Sequence, residues 1–199
     1  MPKIIDHRKR KEAILKKAFS LFAKMGYQNT SLSHLAEACG ISRPTLYLYF
    51  RDKEEIFNYA LKLFTDEMFL DYKGVASAEG PVTPIVRKIC ADVIMKCWTN
   101  RDFIVSLGDF LFQMRHEDRD FGLAIRRRTV KLDHLLRRLV REGVESGELR
   151  DVPVAATVTQ IFDLIQAFLF KLAFITRADP DQTIAVIGAY LDGLSRRGD

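Results

Sequence analysis

Hydrophobic residues recur along most of this chain every three to four positions, the spacing of one buried face of an α-helix. No useful length shows the period-two alternation of a half-buried strand. Ile14, Ala18, Leu21, Phe22 and Met25 form one such stripe, which predicts a first helix from His7 to Met25 closed by Gly26. Leu32, Leu35, Ala36 and Cys39 form the next. Gly40 stops that short helix, because glycine enters the left-handed C-terminal position without steric cost. Ser42 then has the chemistry of an N-cap, and Pro44 fits the first turn of the following helix. In the stretch Arg43–Phe50, Leu46 and Phe50 stand four apart and face inward. Asp52, with Glu55 three residues on, has the form of a capping box and opens a fourth helix reaching to Tyr72.

Beyond it, Lys73–Pro84 is rich in Gly, Ser and Pro and reads as a loop. Further helices follow from Pro84 to Thr99, Phe103 to His116, Asp118 to Ser146, Pro153 to Arg177, and from Asp179-Pro180 to the Leu191/Leu194 region. The expected fold is all-α with about nine helices. The apolar stretch Val152–Ile175 carries Thr157, Thr159, Gln160, Asp163, Gln166 and Lys171, which points to a buried helix and not a membrane span.

Two short helices joined by a tight Gly-containing turn make a helix-turn-helix, whose second helix is built to enter a DNA major groove. Charge supports this reading. The chain carries a formal net charge of +5, and residues 1–60 hold eleven Lys/Arg against six Asp/Glu, while the remainder holds twenty of each. The positive excess therefore sits where phosphates would be met, although a basic start is also compatible with a merely solvated surface. The run Arg8–Lys11 is placed either to reach phosphates or a minor groove, or to stay in solvent.

At this point the residues resemble a known family. Thr30-Ser31, Leu35-Ala36, Gly40-Ile41-Ser42 and Thr45-Leu46-Tyr47-x-Tyr49-Phe50, followed by Lys53-Glu54, are similar in register to the DNA-binding domain of TetR-type (TetR/AcrR) bacterial transcriptional regulators; Ile14–Gly26 matches that family's first helix. The resemblance implies a DNA-binding domain over residues 1–55 and an effector-binding and dimerisation domain over 56–199. It implies a cytoplasmic, ligand-responsive repressor, which binds a palindromic operator in double-stranded DNA as a homodimer and is released by a small-molecule effector. Arg43 is the candidate for base readout, since a guanidinium bonds guanine bidentately. Pro44 and Leu48 are placed to touch thymine methyls, with packing an equal alternative for Leu48. Thr45, Tyr47, Tyr49 and Lys53 are the candidate phosphate contacts. Ser33, on the preceding helix, fills a position that reads bases in some relatives.

The helix after Pro153 carries two apolar stripes and needs burial on more than one side. Together with the resemblance, this places a dimer seam at Ile161, Ile165, Phe168, Leu172, Ile187 and Leu191. The effector pocket implied by the family falls among the soft, large side chains Phe64, Met68, Met95, Trp98, Phe110, Met114 and Phe162, which suit an apolar or aromatic ligand but are also ordinary core residues. Asp109 and Asp163 sit in apolar surroundings, where they offset a cationic ligand or serve as caps or surface charges.

Cys39, Cys90 and Cys97 lack paired spacing and suit a reducing compartment. Packing is the simpler reading of Cys90 and Cys97, a redox pair the other. The four His are scattered without metal-ligand spacing, and no phosphate-binding loop or nucleophile elbow is present, so neither an enzyme nor a cofactor is expected. The rival from another class is a helical small-molecule-binding or catalytic protein that keeps the helix-turn-helix only as scaffold.

Overall fold

The computed structural model describes residues 7–175 and 177–196. Among these residues the chain forms nine α-helices and no strand: α1 (His7–Asn29), α2 (Leu32–Cys39), α3 (Arg43–Tyr47), α4 (Lys53–Val75), α5 (Val82–Thr99), α6 (Arg101–His116), α7 (Phe121–Glu145), α8 (Val154–Phe170) and α9 (Pro180–Leu194). A short π-helical turn, Lys171–Ile175, continues α8.

Local chemistry sets the boundaries in the first third. α1 breaks at Gly26, whose φ of 77° and ψ of 163° are open to glycine almost alone. Ser31 caps α2: its Oγ accepts the His34 N–H at 3.2 Å while its own N–H donates to His34 Nδ1 at 3.4 Å. Gly40 (φ 65°) closes α2, and Ser42 Oγ accepts the Thr45 N–H at 3.2 Å to open α3. Asp52 caps α4 through the Glu55 N–H at 2.7 Å, as expected, but the reciprocal half of the box is displaced. Glu55 accepts from the backbone N–H of Arg51, not of Asp52. α3 is shorter than the Arg43–Phe50 stretch suggests. It tightens into three-residue turns, with Leu48 N–H donating to Thr45 O and Tyr49 N–H to Leu46 O.

The apolar faces gather into two cores. The first joins α1 to α3 through Ile14, Ala18, Phe22, Leu35, Leu46 and Phe50, and then takes Ile56, Phe57, Ala60 and Leu61 from α4 and Phe103, Phe110 and Met114 from α6. Its centre is aromatic: Phe103 stacks on Phe19 at 4.0 Å between centroids, and Phe110 meets Tyr27 edge-on at 4.9 Å. The second core packs the far half of α4 with α5, α7, α8, α9 and Ile104 of α6, around Ile89, Ile94, Leu136, Val158 and Ile161. α4 and α6 therefore belong to both cores. α6 approaches the π-turn closely at Gly108: a Cβ there would lie 3.1 Å from that of Ala173, so a larger residue would push its neighbours back by a few tenths of an ångström.

Candidate nucleic-acid interface

Leu46 and Phe50, 1% and 2% exposed, anchor the recognition segment in the first core. With those two fixed, helical geometry leaves Arg43, Pro44 and Tyr47 on the open side, with Leu48 at the end of the helix. Leu48 is 78% exposed and Tyr47 49%. Packing is therefore not what Leu48 does within the subunit. A leucine so exposed beside arginine and tyrosine is chemically ready for a thymine methyl. The Arg43 guanidinium lies 3.5 Å from the Tyr47 hydroxyl, one turn away. Thr45 is turned partly inward, its hydroxyl 2.8 Å from that of Ser42 at the cap. Tyr49 is half-buried, its ring 5.6 Å from that of His7 on α1. Ser33 is exposed on α2.

Lys53 is differently placed from the other candidate phosphate contacts. Its ammonium donates to the carbonyl oxygens of Tyr27 at 2.9 Å and Gln28 at 3.4 Å, and lies 4.3 Å from the centroid of the Tyr27 ring. Burial lowers its pKa from the ordinary lysine value. Its ammonium thereby ties the start of α4 to the broken end of α1.

A cavity of about 720 Å³ opens between α1, α4 and α5. Phe19, Leu63, Phe64, Tyr72 and Met95 supply its apolar lining, with Lys16, Glu67, Asp71, Asp92 and Lys96 around them. Of the seven effector-pocket residues expected from sequence, Phe64 and Met95 line it. Met68 is buried in the second core, and Trp98 and Phe162 pack against that core. Phe110 and Met114 do not belong to the cavity: their face of α6 turns into the first core, against Tyr27 and Phe57. Periodicity shows that α6 has an apolar face but not which neighbour takes it. Phe19 and Tyr72 were missed. Phe19 lay on the helix assigned to DNA binding, and the buried Tyr72 at the expected end of α4; its hydroxyl has no hydrogen-bond partner.

The expected dimer seam needs correction. Ile161, Ile165, Phe168, Leu172, Ile187 and Leu191 are all 5% exposed or less within one subunit, so they are spent on its own core. The other face of these helices is the open one. It presents Ala156, Thr159, Asp163, Ala167, Phe170 and Phe174 from α8 and its π-turn, and Ala185, Val186 and Ala189 from α9. Phe170 is 56% exposed, Phe174 53% and Val186 47%. By length and composition Val154–Ile175 is the one helix among the described residues apolar enough to cross a membrane, but Ile161, Ile165, Phe168 and Leu172 are buried in the subunit core.

Burial pushes the Cys90 and Cys97 thiols up to about 12, which keeps them protonated and unreactive at neutral pH. Burial also raises the Asp109 carboxyl, whereas Asp163 is exposed. No group of three or more His, Cys, Asp or Glu among the described residues is arranged to hold a metal ion.

Known proteins similar to this chain are transcriptional regulators. Residues 14–60 match the pattern described as bacterial regulatory proteins, tetR family. Over 188 residues the chain is 26% identical to the HTH-type transcriptional repressor ComR of Escherichia coli, covering 88% of this chain and 81% of that protein. Among solved structures, the fatty acid degradation regulator FadR of Bacillus halodurans superimposes with a TM-score of 0.76 at 17% identity, covering 92% of this chain and 94% of the other. FadR of Bacillus subtilis, solved in complex with stearoyl-CoA, gives a TM-score of 0.74 at 17% identity, covering 91% and 95%. At that identity the two structures speak for the fold alone.

Proposed function

The chain belongs to the tetR family of bacterial regulatory proteins, and on that premise we propose that it is a cytoplasmic repressor that grips a palindromic operator as a homodimer and lets go when a small molecule fills its cavity. The observation that carries the reading is the recognition segment itself. Two buried anchors, Leu46 and Phe50, hold a short helix whose open side offers Arg43, Tyr47 and Leu48. A scaffold has no use for an exposed leucine between two tyrosines and beside an arginine. A DNA reader does, for base edges, methyl groups and phosphates.

One such helix covers only a few base pairs, and a two-fold dimer doubles the contact. The open face of α8 and α9 is rich in alanine, with Phe170, Phe174 and Val186 as larger apolar groups, which suits close packing against a second copy. The cavity supports an effector with a large apolar part, through Phe19, Phe64 and Met95, and the stearoyl-CoA held by the structurally similar FadR supports a small-molecule site in this fold.

α4 links the two ends. Lys53 at its start holds the reading head, and Phe64 and Tyr72 further along line the cavity. A ligand that prefers a conformer with wrongly spaced recognition helices weakens DNA binding. A coupling of about 1–3 kcal/mol gives a roughly 5- to 150-fold effect, and operator must weaken ligand binding by the same factor. The test is DNA binding as salt is raised. A repressor using several phosphates loses affinity steeply, and a small-molecule-binding scaffold shows no sequence-selective DNA binding to lose.

A further inference from the structure

The turn between α6 and α7 carries a contact that the recognition segment alone does not explain. Arg119, on that turn, faces Glu54 in the first turn of α4, 65 residues away in sequence. Its Nη1 donates to Glu54 Oε2 at 2.6 Å, and its Nη2 donates to the other oxygen of the same carboxylate. Two parallel N–H···O bonds fix orientation as well as distance, which a single contact does not. Arg119 Nη1 also lies 3.3 Å from Glu117 Oε2. The other oxygen of Glu117 accepts from Gln113 Nε2 at 2.7 Å, and Gln113 Oε1 accepts from Gln28 Nε2 at 3.0 Å. An unbroken polar chain thus runs from the first turn of α4, across the α6–α7 turn and along α6, to the broken end of α1.

The backbone beneath Arg119 is unusual. Asp118 has a φ of 54°, the only positive value at a non-glycine residue among the described residues. A side chain in this left-handed region carries a conformational cost, which persists only where the surroundings impose it. Here the turn is closed by Asp118 N–H donating to Arg115 O at 3.1 Å and Arg119 N–H to Met114 O at 3.0 Å. The turn thereby presents Arg119 to α4. The adjacent residue in α4, Lys53, is tied to the end of α1. The first turn of α4 is thus held on two sides by consecutive residues, and only five residues, 48–52, separate it from α3.

We propose that Arg119 is a positioning residue for DNA binding: through its fork on Glu54, it lets the α6–α7 turn set the angle of the reading head without itself touching DNA. The inference rests on the repressor reading above. Arg119 and Glu54 side chains are 39% and 33% exposed, so the pair contributes little to overall stability, as partly solvated pairs generally do. Its effect lies in orientation, and releasing Arg119 leaves Asp118 free to relax and the head free to tilt.

The experiment uses the full-length chain and a duplex that the wild type selects from random sequence. Affinity is measured over a range of salt for Glu54→Gln, Arg119→Gln, the double variant and Arg119→Lys, at a temperature where circular dichroism shows each folded. The expected result is a loss of about tenfold in each single Gln variant, with the double variant no weaker than either single and Arg119→Lys intermediate. The slope of log affinity against log salt stays that of the wild type, since no phosphate contact is removed. Asp118→Gly, which relieves the turn and keeps the fork, retains wild-type affinity. Folded single variants that bind as the wild type does overturn the proposal. So do additive losses with a shallower salt slope for Arg119→Gln, which would make Arg119 a phosphate contact. If the wild type selects no duplex at all, the repressor reading fails first and the latch falls with it.

Discussion

The carboxylate of Glu148 accepts the backbone N–H of Val82 at 2.6 Å, and its second oxygen accepts that of Thr83 at 2.7 Å. α5 has no side-chain cap of its own, since Pro81 stands at its N-cap position, so a residue 66 positions later serves as the cap and ties the end of α7 to the start of α5. Burial works against the ionised carboxylate, but the hydrogen bonds from Thr83 and Val82 outweigh it and hold the Glu148 pKa below the ordinary glutamate value.

Glu148→Ala is expected to lower stability by about 1–2 kcal/mol at neutral pH, the range for losing a helix cap and two charge-assisted bonds on a partly solvated group. A depressed folded-state pKa means that the contribution is complete above the unfolded glutamate pKa and is lost as pH falls through the folded value. Urea unfolding from pH 7 downward therefore shows the gap between wild type and variant holding to near pH 5 and closing in the acid range. A gap that widens as pH falls contradicts the assignment.

Gly26→Ala places a side chain where φ is 77° and ψ 163°, and brings its Cβ to 3.5 Å from Asp109 Oδ2. The expected cost is about 1–3 kcal/mol, because the backbone must leave a region open almost only to glycine. Since Lys53 bonds the carbonyls that follow this break, the same variant weakens DNA binding while the second core stays intact. Hydrogen exchange checks this: faster exchange is expected in α1 to α3, with α5 and α8 unchanged.

The proposed dimer face on the open side of α8 and α9 separates assembly from folding. Val186→Glu, at a position 47% exposed in the subunit, is expected to give a folded monomer by light scattering, because the charge disturbs only the proposed seam. Leu191→Ala, at 1% exposure, is expected to cost about 2–5 kcal/mol of subunit stability through the cavity it leaves. A Val186→Glu protein that remains dimeric places the seam elsewhere.

Local chemistry was legible in the sequence. Gly26, Gly40, Ser42 and Asp52 end or begin helices where their backbone freedom or side-chain oxygen predicts, because capping involves only neighbouring residues. Leu46 and Phe50 were legible as anchors for the same reason, their spacing of four fixing one face. Pairing between distant elements was not legible. Phe110 and Met114 stand at perfectly helical spacing whichever core they enter, and nothing near them in sequence says that α1 takes them. Both apolar stripes of α8 turn to the second core, Ile161 and Phe168 buried in it and Phe162 and Leu169 packed against it, while Phe170, which stands in neither stripe, is left open. Glu148 and Arg119 read as ordinary surface charges until the helices they cap or hold are brought beside them.

The most direct test of the account is binding-site selection from random duplex DNA, run in parallel with the wild-type chain and Arg43→Ala. The account predicts that the wild type enriches a two-fold symmetric motif. Arg43→Ala then enriches the same motif with preference relaxed at one position in each half-site, binding the wild-type sequence about 1–3 kcal/mol more weakly. A wild-type chain that enriches no motif, or an Arg43→Ala chain that selects an identical one with equal stringency, contradicts it.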